Sequence, residues 1–532
     1  MVKKKAAITK KKSIPLKKKA PSKKKSTKVS RIEKTKPEVM DLPGDLESST
    51  GGDLPVSDVK HAFESEVDRV FFLQKANRWK MANTSYIERI ERLKKIQDAI
   101  ESNMPLIQDA IYRDFKKSPH EVDITEIFPV LLEITDAIKN LKKWTRPQTV
   151  STPITLFPSK SELIYEPKGL VLIIGPWNYP FHLIAAPLVA AIAAGNCVII
   201  RPSDDTYHTS IIVKKLFGDI FPEDEVAIFN GGIDLSNYLL TKPFDHIFFT
   251  GSPKVGGIVM EAAAKNLTSV TLELGGKSPV ILDETAVLDY STLHIIWGKI
   301  LNGGQTCVGV DYVMVHESKF NEFIEKARAV LENFYGDPTS WKSNPDFCRI
   351  INGKNFNRLK SMLEEAISSG SKVEVGGVLD ENEKYISPTI LSNVSLNLDI
   401  MQEEIFGPIL PVLTYSSIDE AIRIIQSKWK PLSLYVFSKN DYNIKRITNN
   451  TSSGALLVNG VIVHLTNPNL PFGGVNHSGH GSYHGFFGFK TFSHERAVLR
   501  VSRLNLLWKL FPPYNDGTSK FLKFIKFITK LF

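Results

Sequence analysis

The sequence predicts an α/β protein of two lobes, each built on an open, largely parallel sheet. Short runs rich in Val, Ile and Leu alternate with helix-period stretches at 169–174, 185–194, 197–200, 209–217, 227–230 and 246–250. Strands and helices alternating at this interval pair in parallel through crossover helices. The alternation resumes across 278–458, which calls for a second lobe. A chain of 532 residues, 42% hydrophobic and 23% charged, has room for both around a large core.

The elements follow in order. Residues 1–36 hold fifteen lysines and Arg31 against Glu33 alone, a net of +15. The whole chain is +10, so the other 496 residues sum to −5 and the basic character belongs to an arm. Lysine triplets spaced by Ala, Ser, Thr and Pro bury nothing, so the arm is expected to be disordered. It suits an import signal, a nucleic-acid contact, a tether to anionic lipid, or a solvated segment with no partner. It lacks the apolar stretch of a secretory signal, and lysine with proline makes a poor mitochondrial presequence. A Gly, Pro, Ser and acid-rich linker runs over 41–56. Helical periodicity fills 57–115 and 121–144. The Thr, Ser and Pro-rich text of 147–167 reads as a loop or hairpin.

Only Cys197, Cys307 and Cys348 occur, which excludes a disulfide framework and points to a reducing compartment. Any lone cysteine reads first as a small buried hydrophobe. Cys197 sits in an apolar run and fits that reading, and Cys348 has no diagnostic context. Cys307 closes the polar turn Asn302-Gly303-Gly304-Gln305-Thr306 and invites a nucleophile reading. Three other segments bear on it. Asn178 follows the strand ending at Ile174, where an open α/β sheet places ligands, and its amide can donate to an oxyanion. Gly251-Ser252-Pro253-Lys254-Val255-Gly256 is a strand-to-helix turn whose N–H groups suit a pyrophosphate. Glu273 precedes Gly275-Gly276, and a partly buried carboxylate there has its pKa raised into general-base range. Each segment taken alone also reads as an ordinary turn or strand end.

The order Asn178, Gly251–Gly256, Glu273, Cys307 resembles the aldehyde dehydrogenase superfamily. Met401 to Pro408 and Pro471-Phe472-Gly473-Gly474 extend the likeness over about 57–501. Leu434 to Ser438, Ser482 to Gly485 and Thr491 to His494 are similar to the class 3 and fatty aldehyde dehydrogenase branch. The resemblance implies an aldehyde-dehydrogenase-like fold, two Rossmann-related α/β lobes with an oligomerisation hairpin. It implies a cofactor domain over 57–272, with 148–166 in the hairpin. A catalytic domain follows over 273–460, then a return to the cofactor and oligomerisation region over 461–503 and an extension over 504–532. It also implies NAD(P)-dependent oxidation of medium to long-chain aldehydes by a homodimer, with no metal. Cys307 would attack the aldehyde, Asn178 and the Cys307 N–H would hold the oxyanion, and Glu273 would activate the hydrolytic water. Glu404 and Phe406 would position the nicotinamide ribose and ring. The alternatives are the same chemistry on an aromatic aldehyde or semialdehyde, and a non-catalytic nucleic-acid-binding or scaffold protein using the arm. Intact Cys307, Glu273 and Asn178 weigh against the last.

Several positions depart from the branch. Arg201-Pro202-Ser203-Asp204 replaces Lys-Pro-Ser-Glu; Asp204 still offers a carboxylate to ribose hydroxyls, favouring NAD, while Arg201 tolerates a 2′-phosphate and leaves NADP open. Gly303 stands for Ser and Gly309-Val310 for Ala-Pro, from which a more mobile turn is expected. Phe486 replaces a basic residue. At the carboxyl end, 518–532 places four lysines within roughly 120° of a helical wheel and fills the rest with Phe, Ile and Leu. Fifteen lysine-punctuated residues are too few to span a bilayer. The helix suits an interface, placing the protein on an intracellular membrane or lipid droplet rather than free in the cytoplasm. The other reading docks it on its own protein or a second subunit.

Overall fold

The computed structural model describes residues 56–528 and residue 530. The expectations for the lysine-rich arm, for most of the linker and for the last few residues lie outside the described residues.

The first sheet has six strands. From one edge they run Gly479–His480, Ser269–Leu274, His246–Gly251, Leu170–Ile174, Cys197–Arg201 and Val226–Ile228. All pair in parallel except Gly479–His480, which returns antiparallel to Ser269–Leu274. Leu170–Ile174 and Cys197–Arg201 are buried at every position, as strands covered on both faces must be. Val56–Ala82 packs Val67, Val70 and Phe71 on one face, where Cys197 also lies as an inert core thiol. His182–Ala194 is wholly buried. The chain builds outward from Leu170–Ile174 to one side, then crosses back to place His246–Gly251 on the other. The strand order therefore reverses between these two neighbours, and a ligand crevice opens at their carboxyl ends.

The second sheet has seven strands and its own core around Met314, Leu359, Leu391 and Val436. At its centre Pro279–Leu282 pairs in parallel with Tyr312–His316 and with Ser433–Phe437. The 147–167 text forms a hairpin, Gln148–Val150 with Lys160–Pro167, and Ser493–Arg500 adds a third antiparallel strand.

The helical segment 57–115 divides into Val56–Ala82, Tyr86–Ser102 and Met104–Phe115. Ser85 caps the second of these in a reciprocal capping box with Glu88. Phe486 packs among Trp144, Tyr165 and Phe489, with ring centres 5.6–6.1 Å apart, and so ties Gly485–Thr491 to the ribbon. The carboxyl helix runs Asp516–Ile528, starting two residues before the expected point. Thr518 is buried and Phe521 and Ile525 are half-buried, while Leu522, Phe524 and Phe527 are exposed beside Lys520 and Lys523. Among the described residues no helix is long and apolar enough to cross a membrane.

Candidate active site

Two loops meet at the crevice. The first leaves Ile174 and carries Asn178, and the second follows Leu288–Ile300 and carries Cys307. Asn302, Gly303 and Gly304 take left-handed conformations at φ 56, 60 and 75°. Here glycine is required. A Cβ on Gly304 would stand 2.2 Å from the Gly407 carbonyl oxygen, and one on Gly303 3.0 Å from the Cys348 sulfur. A Cβ on Gly309 would stand 2.9 Å from the Thr306 carbonyl oxygen.

Side-chain hydrogen bonds brace the turn. The Asn302 amide Nδ2 donates to the carbonyls of Asn178 at 2.8 Å and Gln305 at 3.0 Å. The Gln305 amide donates to the Asn302 and Arg349 carbonyls and accepts from Ile351 N–H. Small residues in this turn admit close packing, and the packing holds it.

Asn178 is buried and its Nδ2 donates to the Gln305 carbonyl at 3.1 Å. An amide nitrogen carries two N–H groups, so one remains for a ligand. The backbone N–H groups of Val308 and Cys307 beside the sulfur favour its thiolate. Burial outweighs them and, with the Glu404 and Glu273 carboxyls, pushes the thiol up to about 12. Glu273 is 4% exposed and neither carboxyl oxygen has a hydrogen-bond partner. Burial alone holds its pKa well above the ordinary carboxylate value.

Asn178, Glu273 and Cys307 line one cavity of about 320 Å³ together with Gly251, Ser252 and Pro253. Glu404 and Phe406 close its far wall. The Glu404 carboxyl fits where Gly275 has no side chain, 1.9 Å from the place a Cβ would take. Its pKa rises to about 8 through burial, partly offset by the Gly276 N–H. Phe406, at φ 51°, sets its ring edge-on to Trp177 at 5.3 Å. Lys254 lines an adjoining cleft of about 900 Å³, and Ser252 caps the helix Pro253–Ala264 through Val255 N–H. Gly256 is buried against Leu274, while Val255 is 43% exposed.

Arg201 and Asp204 stand one strand over and line neither space. They pair with each other at 2.5 Å, and Arg201 also donates to the Gly231 carbonyl at 2.8 Å. The half-exposed Asp204 is thus already engaged on one oxygen. A second, mainly apolar cavity of about 140 Å³ meets the first at Cys307, Glu273, Thr250 and Leu274.

The donor set fits a nicotinamide dinucleotide. The helix Pro253–Ala264 has no acid in its first turn and carries Lys254 there, which suits a pyrophosphate. An aromatic pair and a carboxyl close the other end. Several residues of the site escaped sequence reasoning. Tyr179, whose hydroxyl bonds Thr306 Oγ1 at 2.6 Å, adjoins Asn178 and position alone could have flagged it. Glu121, Lys117 and Glu126 carry no motif, and only their placement beneath the loops brings them in.

A profile of the Aldehyde dehydrogenase family matches residues 51–498. The chain belongs to that family. It is an NAD(P)-dependent aldehyde dehydrogenase of the class 3 branch. A Staphylococcus aureus 4,4'-diaponeurosporen-aldehyde dehydrogenase is 47% identical over 82% of this chain and 94% of that relative. Mouse aldehyde dehydrogenase family 3 member A2 is 43% identical over 84% of this chain and 90% of the relative. The mouse dimeric NADP-preferring aldehyde dehydrogenase is 44% identical over 78% and 90%. The structure of Staphylococcus aureus AldH in a substrate-bound state superposes with a TM-score of 0.83 at 44% identity, covering 86% of this chain and 99% of that one. The α/β aldehyde dehydrogenase fold expected from the sequence is the fold observed.

Proposed function

We propose that this aldehyde dehydrogenase oxidises medium to long-chain aliphatic aldehydes through a covalent acyl-Cys307. The observation that carries the chain-length reading is the apolar cavity that ends at Cys307. Leu183, Trp297, Leu301, Ile462 and Phe472 line it, and such walls gain by burying methylenes at about 0.8 kcal/mol each. Polar or short aldehydes gain little there.

Cys307 reacts as thiolate, with its proton taken up by a neighbouring base. Glu273, unpartnered and within the same cavity, is kept for the hydrolytic water. Attack on the carbonyl carbon gives a thiohemiacetal whose oxyanion is held by the second Asn178 N–H and the Cys307 N–H. Ser252, Lys254, Glu404 and Phe406 would hold the dinucleotide, with Gly251 and Gly256 framing its turn. When bound, its nicotinamide supplies the hydride acceptor. The resulting thioester is released by a water that loses its proton to Glu273. Asp204 favours NAD through its remaining oxygen, while Arg201 tolerates a 2′-phosphate and leaves NADP use open.

The lobes divide the work, with 57–272 and 461–503 holding cofactor and 273–460 carrying the nucleophile. Pairing of Gly479–His480 with the first sheet supports that return. A homodimer is supported by the exposed edge strand Ser493–Arg500, which leaves a row of backbone groups for a partner. Membrane contact rests on the extension, where Trp508, Phe511, Tyr514, Phe524 and Phe527 are all more than half exposed beside lysines.

Reduced-nicotinamide absorbance across an aldehyde series with NAD and NADP tests the substrate reading. kcat/KM should rise from four to ten or more carbons and be higher with NAD. A preference for benzaldehyde or a semialdehyde would overturn it. For the extension, flotation with anionic vesicles should be lost on truncation after Gly517, and equal flotation would remove the helix from the account.

A further inference from the structure

The segment between Met104–Phe115 and Phe128–Trp144 lies beneath both active-site loops, and three of its charged side chains reach them. Lys117 and Glu126 form an ion pair at 3.0 Å with both side chains at 0% exposure. The second Glu126 oxygen accepts from the N–H groups of Phe181 at 3.1 Å and His182 at 3.0 Å. These N–H groups open the helix His182–Ala194, three and four residues beyond Asn178. The Lys117 ammonium stands 4.2 Å from the centre of the Tyr179 ring, and Tyr179 bonds Thr306, the neighbour of Cys307. Between the two in sequence, four residues beyond Lys117, Glu121 Oε1 accepts from Asn302 N–H at 2.6 Å. That N–H belongs to the left-handed turn whose side chain holds the Asn178 carbonyl.

We propose that Glu126 and Glu121 are positioning residues that clamp the two loops and fix the Asn178 amide against the Cys307 thiol, with Lys117 supplying the charge that balances Glu126. The proposal rests on reading Cys307 as nucleophile and Asn178 as oxyanion donor. A buried ion pair is weak evidence for stability, since apolar residues of similar volume serve as well. The placement of this one is not explained by packing. Its acceptor oxygen goes to the loop bearing Asn178, its cation to the ring that reaches the loop bearing Cys307, and the third carboxyl to the other end of that second loop. Beside the ion pair itself and Lys117 over the Phe115 ring at 5.9 Å, these contacts join a loop to the segment. Near-attack geometry tolerates little error, and a misplacement of about 1 Å can lower a rate on the order of a hundredfold.

Two double variants of the full chain separate clamping from charge burial. Lys117→Met with Glu126→Gln removes both charges and keeps an acceptor for Phe181 and His182 N–H. Lys117→Met with Glu126→Leu removes both charges and the acceptor. With NAD and decanal, the first should keep kcat within about threefold of the parent. The second should lose tenfold or more in kcat while KM for NAD moves less than threefold. Glu121→Gln against Glu121→Ala repeats the comparison at the other loop, with the loss again in kcat and only for Ala. Equal kcat for both members of each pair would overturn the clamp, as would a loss appearing in KM alone. Cys307→Ser run alongside separates the two ideas. NADH formation by that variant would overturn the nucleophile reading and the clamp with it, whereas a dead Cys307→Ser with equal paired variants overturns the clamp alone.

Discussion

Glu273 is a carboxyl with no partner in a place where both its oxygens are buried, and that has a consequence for stability as well as chemistry. Burial raises its folded-state pKa above 4.5, so the folded protein keeps a proton that the unfolded chain releases. Stability from this group is full below the unfolded pKa and is lost as pH rises through the folded one. Glu273→Gln should therefore melt at a higher temperature than the parent at pH 8, with the difference vanishing towards pH 4, as read by thermal unfolding. As a general base the same group acts only when deprotonated, so thioester hydrolysis should speed up with rising pH. The glycine turn gives a second prediction at this scale. Gly304→Ala would put a Cβ 2.2 Å from a backbone oxygen at φ 75°, and should destabilise by about 3 kcal/mol or more in urea unfolding.

Among the elements, the helix Pro253–Ala264 and the edge strand Ser493–Arg500 make separate predictions. Ser252→Ala removes the cap on Val255 N–H and should cost about 1 kcal/mol of stability, with weaker dinucleotide binding read by fluorescence quenching. Leu499→Lys on the edge strand should shift sedimentation from dimer towards monomer, because charge on an exposed edge opposes strand pairing. The strands that position the site were legible because burial on both faces forces continuous β-branched runs: 169–174, 197–200 and 246–250 fall within a residue or two of Leu170–Ile174, Cys197–Arg201 and His246–Gly251. The reach of Asn230 was not, and its side chain turns back to the Ser210 carbonyl beyond the end of Val226–Ile228. The proposed site residues Cys307, Glu273 and Asn178 were singled out by their ordered spacing, and the fold brings them to one cavity. Lys117 and Glu126 were not, because a lysine and a glutamate nine residues apart read as a solvated face until the fold buries them together. Arg201 and Asp204 were visible as a motif, yet their mutual pairing is a matter of rotamer and not of sequence.

At the scale of the whole molecule, the site exists only because two sheets bring their loops to one crevice. The first sheet and its loops supply Asn178, Glu273 and the Gly251 turn, and the chain beyond supplies Cys307, Glu404 and Phe406. A dinucleotide in this crevice should tie both lobes at once. Hydrogen exchange with saturating NAD is expected to slow in 251–256 and in 403–406 together, leaving 493–500 unchanged if the dimer is already formed. The apolar cavity meets the larger one at Cys307 and Glu273, which on the proposed reading gives the reacting carbon one place to sit. A covalent acyl bond to Cys307 at that place is the central prediction. Glu273→Gln mixed with decanal and NAD, quenched in acid and analysed by mass spectrometry, should carry a decanoyl group on the peptide containing Cys307. No acyl group on that peptide, or one on Cys197 or Cys348 instead, would contradict the account.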